Sequence, residues 1–206
     1  MLHLYVGSKR YSSWSLRPYV ALAQSGLPFE HTTILLDRDT TKAEIAKVNP
    51  AGKVPVLHHD DLVIWDSLAI CEYLAELAPT KLWPKDRAAR AKARTISAEM
   101  HSSFAALRKH CAMELHATRP PPTDPEALAD IKRVQAIWHE ALAASGGPFL
   151  FGAFSIADAM FAPVTTRFVT YQVPVDAASQ AYIEAVARLP AMKQWAADAA
   201  VEQITR

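Results

Sequence analysis

Apolar positions in the first third of the chain change period several times. Leu2 to Val6 is a short β-favouring run; Leu16, Tyr19, Val20 and Ala23 then recur at i, i+3, i+4 and i+7 until Gly26 stops the helix they predict. Phe29 to Leu35 returns to strand character, and Thr41 to Lys47 makes a weak short helix. Val54 to Leu57 and Leu62 to Ile64 flank the polar stretch His58-His59-Asp60-Asp61, which reads as a β-hairpin with a solvated turn. Ile70, Tyr73, Leu74 and Leu77 then share one helical face. The order is β-α-β-α-β-β-α.

Residues 79–86 carry two prolines and no periodicity, so they are expected to be a linker. Everything after them is helical in pattern. Ile96, Met100, Ser103, Phe104, Leu107 and Cys111 keep helical spacing over one long segment, which the run Pro120-Pro121-Pro122 ends. Leu128, Ile131, Gln135, Trp138 and Leu142 form the next stripe, closed by Gly146-Gly147-Pro148. Further helices are expected over Ile156–Phe168, Ala177–Arg188 and Ala191–Glu202. The expected division is an α/β domain over 1–78, a linker over 79–86 and an all-helical domain over 87–206.

Composition narrows the function classes. A net charge of +1 from 22 basic and 21 acidic side chains, without a basic run, gives no reason to expect nucleic acid or an anionic membrane as partner. The start Met1 to Val6 lacks the features of a signal peptide, and no apolar stretch is long enough to span a bilayer. Cys71 and Cys111 lie in apolar helical patterns and form no CxxC pair, so a cytoplasmic protein is expected. The eight histidines match no metal-ligand spacing, and no metal is expected.

Three segments carry chemistry. Tyr11-Ser12-Ser13-Trp14-Ser15-Leu16-Arg17-Pro18 lies between the first strand and the first helix, with Pro18 expected in the first helical turn. A hydroxyl there either caps the helix or, beside the positive end of the helix dipole, donates to an anion such as a thiolate. Asn49-Pro50-Ala51-Gly52-Lys53-Val54-Pro55-Val56-Leu57 places a proline inside a short strand, marking an edge, a bulge or a cis bond. It is no P-loop, because Val54 stands where Ser or Thr is needed. Trp65-Asp66-Ser67 precedes another helix and reads as a cap or as a carboxylate site, with Asp66 free to meet an ammonium group.

Together these segments resemble the glutathione transferase family over essentially the whole chain. Ser12 to Arg17 is similar to the Ser-Ser-Cys-Ser-Trp-Arg signature of the zeta class, Asn49 to Leu57 to the family's NPxGKVPxL segment, and Asp66-Ser67-Leu68-Ala69-Ile70 to its E/Q-S-x-A-I. Ser155-Ile156-Ala157-Asp158 is similar to the family's capping box, which also satisfies orphan N–H groups on its own physics. The resemblance implies a thioredoxin-like βαβαββα domain followed by an all-helical bundle. It implies Ser12 as activator of the glutathione thiol, with Ser13 its competitor, and a cis bond before Pro55. Val54 would pair through its backbone with the cysteinyl unit, and Lys53 would meet the glycyl carboxylate. Asp66 and Ser67 would hold the γ-glutamyl amine and carboxylate.

Trp14 stands where the zeta signature has Cys, and Leu16 where it has Trp, which argues against the zeta isomerisation of maleylacetoacetate. The expected reaction is attack of the glutathione thiolate on a small apolar electrophile, in a pocket drawing on Tyr11, Trp14, Met100, Phe104 and Arg108. The alternatives are a glutathione-dependent isomerase and a non-catalytic module for interaction or ligand carriage. A homodimer is implied by the family alone.

Overall fold

The computed structural model describes residues 1–202, so the last four residues of the expected helical domain, 203–206, lie outside the described residues. The first half contains β1 (Leu2–Gly7), α1 (Ser13–Ser25), β2 (Phe29–Ile34), α2 (Thr41–Val48), β3 (Val56–His59), β4 (Leu62–Trp65) and α3 (Ser67–Leu77). The sheet order is β2-β1-β3-β4, with β1 parallel to β2 and antiparallel to β3, and β3 antiparallel to β4. Leu2, Leu4 and Val6 of β1 are buried while His3 and Tyr5 are half-buried, as the alternation of a strand with one core face requires. This is a thioredoxin-like domain, and a helical domain follows it.

The helical part runs α4 (Arg87–Ser102), α5 (Ala105–His110), α6 (Pro125–Ser145), α7 (Ile156–Thr170), α8 (Ala177–Arg188) and α9 (Pro190–Val201). None of the described helices is long and apolar enough to cross a membrane. One core runs through both halves, with Leu16, Val20, Ile70 and Leu74 in the same cluster as Trp138, Phe161, Phe168 and Trp195. Helix α1 packs against α3 on one side and α7 on the other.

Two sequence expectations are corrected. The single helical segment over 96–111 is two helices, because the chain leaves α4 at Ser103 and Phe104 takes φ +63°. The Arg108 guanidinium donates to the carbonyls of Met100, His101 and Ser103, capturing acceptors that a continuing helix would have bonded. Left-handed backbone at an aromatic residue costs about 1–2 kcal/mol, set here against burial of the Phe104 ring. The second correction is that α1 starts at Ser13, so Pro18 sits in its second turn and not its first.

Helix α7 starts at the expected box. The Asp158 carboxylate accepts from the Ser155 N–H (2.8 Å), the Ser155 hydroxyl (3.1 Å) and the Leu150 N–H (3.0 Å), all fully buried. Removing three accepted bonds while leaving the donors buried predicts that Asp158→Ala lowers the unfolding free energy by about 3 kcal/mol in urea titration. Burial pushes the Asp158 carboxyl up to about 6, above the ordinary carboxylate range. A raised folded-state pKa contributes stability that is complete below pH ~4 and is lost as pH rises through the folded value. Between pH 5 and 7 the parent is therefore expected to lose more urea stability than Asp158→Asn, and equal losses would contradict this account.

Candidate active site

The turn between β1 and α1 is anchored from several sides. Ser8 accepts the N–H groups of Tyr11 (3.1 Å) and Ser12 (2.8 Å) at its carbonyl, and the Leu36 N–H at its hydroxyl (2.8 Å). The buried Lys9 ammonium meets the Asp198 carboxylate of α9 and the His31 imidazole of β2 (2.8 Å), and Trp195 Nε1 donates to the Lys9 carbonyl (2.8 Å). Gly7 is needed for close approach: a Cβ there would stand 3.0 Å from Ser12 Oγ and 2.9 Å from Leu36 Cδ1.

The two neighbouring serines have different surroundings. Ser12 is the residue before α1, yet its side chain makes no capping bond. Its hydroxyl donates to Ser15 Oγ (2.8 Å), which also accepts the Gly7 N–H (2.9 Å), so this hydroxyl pair closes on the turn itself. Ser13 Oγ instead accepts from Arg167 Nη2 of α7 (3.0 Å), and Arg167 also donates to the Cys111 carbonyl.

Trp14 lies between two guanidinium groups. Arg17 Cζ is 4.3 Å and Arg108 Cζ 4.7 Å from its ring centroid, and the His101 ring meets its edge at 5.3 Å. Arg17 is buried, with Nε and Nη1 lacking hydrogen-bond partners among the described residues. Burial, and then repulsion from Arg108 and Arg167, pulls Arg17 down to about 9. Burial and repulsion from Arg108 pull Arg167 down to about 10. Arg108 is also lowered, chiefly by burial. None of the three is in a salt bridge with a carboxylate among the described residues.

The second and third segments meet on the other side of Trp14. Asn49, buried, donates from Nδ2 to the Lys53 carbonyl (2.6 Å) and accepts the Ala51 N–H (2.9 Å), which shapes the loop into the cis Val54–Pro55 bond. Asp66 precedes α3 at φ +73°; Oδ1 accepts from Leu68 (2.8 Å) and Ala69 (3.4 Å), and Oδ2 faces His101 Nε2 at 3.2 Å. Ser67 Oγ is buried without a partner among the described residues. Such an orphan hydroxyl at a helix N-terminus suits an anionic acceptor.

Two cavities result. One of about 590 Å³ is lined by Trp14, Lys53, Val54, Pro55, Asp66 and Ser67, with Ala51 and Trp65. The other, about 320 Å³, is lined by Tyr11, Ser13, Trp14, Arg108 and Arg167, with Ala112, Met113 and Glu114. Trp14 belongs to both. Ser12 lines neither, and Met100 and Phe104, expected in the electrophile pocket, are core residues that line neither, because their side chains turn into the cluster shared by the two halves. Arg17, His101 and Arg167 escaped the sequence reading. Arg167 left a trace there, as the one basic residue in a mostly apolar α7.

The chain matches the family model "Glutathione S-transferase, N-terminal domain" over residues 11–77 and "Glutathione S-transferase, C-terminal domain" over residues 88–198. It is 40% identical over 105 residues to a "Probable maleylacetoacetate isomerase" of Caenorhabditis elegans, an alignment covering 50% of this chain and 49% of that protein. It is 42% identical over 92 residues to "Glutathione S-transferase 1" of Dianthus caryophyllus, covering 44% of this chain and 41% of that protein. The chain thus spans about half the length or less of these curated relatives. A crystal structure of a glutathione transferase homolog from Burkholderia GL BGR1, with bound glutathione, superposes at TM-score 0.74 with 26% identity, covering 98% of this chain and 99% of that one. Glutathione transferase F2 of Populus trichocarpa, 18% identical at TM-score 0.71 over 98% and 100% of the two chains, shares the fold.

The hydroxyl pair generates a prediction separate from any activity. Ser15→Ala leaves the buried Gly7 N–H unpaired and is expected to lower the unfolding free energy by about 1–3 kcal/mol. Ser12→Ala removes only a donor to Ser15 and is expected to cost less. Urea midpoints in the reverse order would refute this picture of the turn.

Proposed function

Because the chain belongs to the glutathione S-transferase family, we propose that it binds glutathione in the larger cavity and transfers its thiolate to a small electrophile in the smaller one. Lys53 meets the glycyl carboxylate, and the Val54 backbone pairs with the cysteinyl unit. Ser67 donates its orphan hydroxyl to the γ-glutamyl carboxylate, and Asp66 attracts the γ-glutamyl ammonium. In the conjugation step a sulfur–carbon bond forms, and the leaving group departs with the bonding electrons. Holding thiolate and electrophile side by side across Trp14 supplies the proximity part of the catalysis.

The observation that carries this reading is the shared wall. The residues matching the family's glutathione-binding segments line one cavity, and Ser13 lines the adjoining one. The same observation favours Ser13 over Ser12 as the thiol activator. A hydroxyl that donates to a thiolate lowers its pKa below the ~8.5 of a free thiol, and the Ser12 hydroxyl is already engaged with Ser15. Assembly as a homodimer belongs to the same proposal, and light scattering giving a monomer at micromolar protein would remove it.

A second reading is favoured by the Arg108 and Arg167 guanidiniums in the smaller cavity, which suit a substrate carrying carboxylates better than a wholly apolar one. That is the glutathione-dependent isomerase, in which the thiolate adds and later leaves. The two readings separate when a chloronitrobenzoate and its methyl ester are compared as electrophiles for conjugation and maleylacetone is assayed for cis–trans isomerisation. A preference for the ester supports the apolar conjugation reading, and a preference for the free acid supports the anionic substrate.

The main test is conjugation of glutathione to chlorodinitrobenzene. Ser13→Ala is expected to lower kcat/KM by about 10²-fold, the cost of losing one donor to a reacting anion, and Ser12→Ala by less. If the parent neither binds immobilised glutathione nor turns over any electrophile, the non-catalytic module takes the place of this proposal.

A further inference from the structure

Arg167 belongs to the helical half, whereas the serine it touches belongs to the sheet half. Its guanidinium is buried and bridges two acceptors, the Cys111 carbonyl and Ser13 Oγ. Arginine has five N–H donors and no acceptor. Ser13 Oγ must therefore act as acceptor toward Arg167, which leaves the serine's own hydrogen to point elsewhere. Ser13 and Arg167 both line the smaller cavity, with Trp14 between it and the larger one. Ser12 lacks any such constraint, since its hydroxyl is shared with Ser15.

We propose that Arg167 is a positioning residue for thiol activation: by donating to Ser13 Oγ it aims the Ser13 hydroxyl at the glutathione sulfur, so the helical half sets the state of the thiol as well as shaping the pocket. The inference rests on glutathione binding and on Ser13 as activator. No proton passes from Ser13 to sulfur. The thiol proton leaves to solvent, and the resulting thiolate accepts the oriented O–H. Arg108 and Arg167 repel Arg17, Arg108 repels Arg167, and none of the three has a carboxylate salt bridge among the described residues, which adds a reason for an anion to settle there.

A merely structural role for Arg167, holding the Cys111 carbonyl and the contact between α1 and α7, makes a different prediction. The experiment is the pH dependence of kcat/KM for glutathione conjugation, with ultraviolet titration of the bound thiolate, in the parent, Arg167→Lys, Arg167→Met and Ser13→Ala. Arg167→Met is expected to raise the apparent thiol pKa by about one unit and to lower kcat by about 10–100-fold. The KM for glutathione should change less than about threefold, because the residues lining the larger cavity are untouched. Arg167→Lys keeps a charge and one reachable donor, so it is expected to fall between parent and Arg167→Met, and it serves as the test should Arg167→Met not fold. Combining Arg167→Met with Ser13→Ala is expected to add little to either alone, since the two act as a unit. Folded, active variants whose thiol pKa equals the parent's, or losses that multiply in the double variant, overturn the inference while leaving the glutathione reading intact. A parent that binds no glutathione overturns both.

Discussion

Everything in the site depends on α1 being enclosed on nearly every side. Ser13, Ser15, Leu16, Arg17, Pro18, Tyr19, Val20, Ala21 and Leu22 are all buried, a run that no single apolar stripe could produce. The helix is held between α3 of the sheet half and α7 of the helical half, and Tyr19 meets the Trp195 ring of α9 at 4.9 Å. Trp14 is the exception, 38% exposed, and it is the residue shared by the two cavities. Docking of the two halves and construction of the site are therefore one event. A helix packed on the sheet alone could present Ser13, but the donor to its hydroxyl would be missing.

That arrangement has an electrostatic cost. Three guanidiniums are drawn into poorly solvated surroundings, where Arg108 and Arg167 disfavour the Arg17 charge and Arg108 that of Arg167. Carbonyl oxygens partly satisfy Arg108 and Arg167, and the Trp14 ring face takes Arg17 and Arg108. The interaction that would balance the charge outright, a carboxylate ion pair, is missing from the described residues. Asp66, the acid whose field raises Arg17, already caps α3 and faces His101. Asp130 favours the Arg108 charge only from a distance, so the three guanidiniums keep a net positive potential around Trp14.

The order of strands and helices, the presence of the hairpin and the box at Ser155–Asp158 were legible because period, turn residues and caps act over a few neighbouring positions. The turn itself was read too long: His58 and His59 belong to β3, paired with β1 and β4, and only Asp60 and Asp61 turn. The break at Ser103–Phe104 was not legible, since no glycine or proline marks it. It follows from Arg108 folding back onto carbonyls of the preceding turn and from Asp130 of α6 accepting the Leu107 N–H, a partner that lies far along the chain. The same limit explains Met100 and Phe104, whose helical spacing fits a pocket wall as well as a core. It also explains the serines. Ser12 and Ser13 are equal in sequence and differ only in what faces their hydroxyls, Ser15 for one and an arginine from α7 for the other. A lone basic residue in a mostly apolar helix was the readable sign of that partner. The Arg167 donors are received outside α7, by the Cys111 carbonyl and by Ser13 on α1.

The two departures from the zeta signature acquire a physical meaning in this setting. Leu16, where the signature has Trp, is fully buried in the core that joins the two halves, so it is a packing residue. Trp14, where the signature has Cys, is not a neutral exchange. Its ring lies between Arg17 and Arg108, with the His101 edge against it, and gives both cations a face that a thiol side chain could not offer. The residue at position 14 and the arginines beside it therefore form a matched set. Replacing one without the others would leave a buried charge exposed to its like-charged neighbours. The side chain that departs from the signature is also the one that divides the proposed glutathione cavity from the cavity beside Ser13, and its bulk sets how closely the contents of the two can meet.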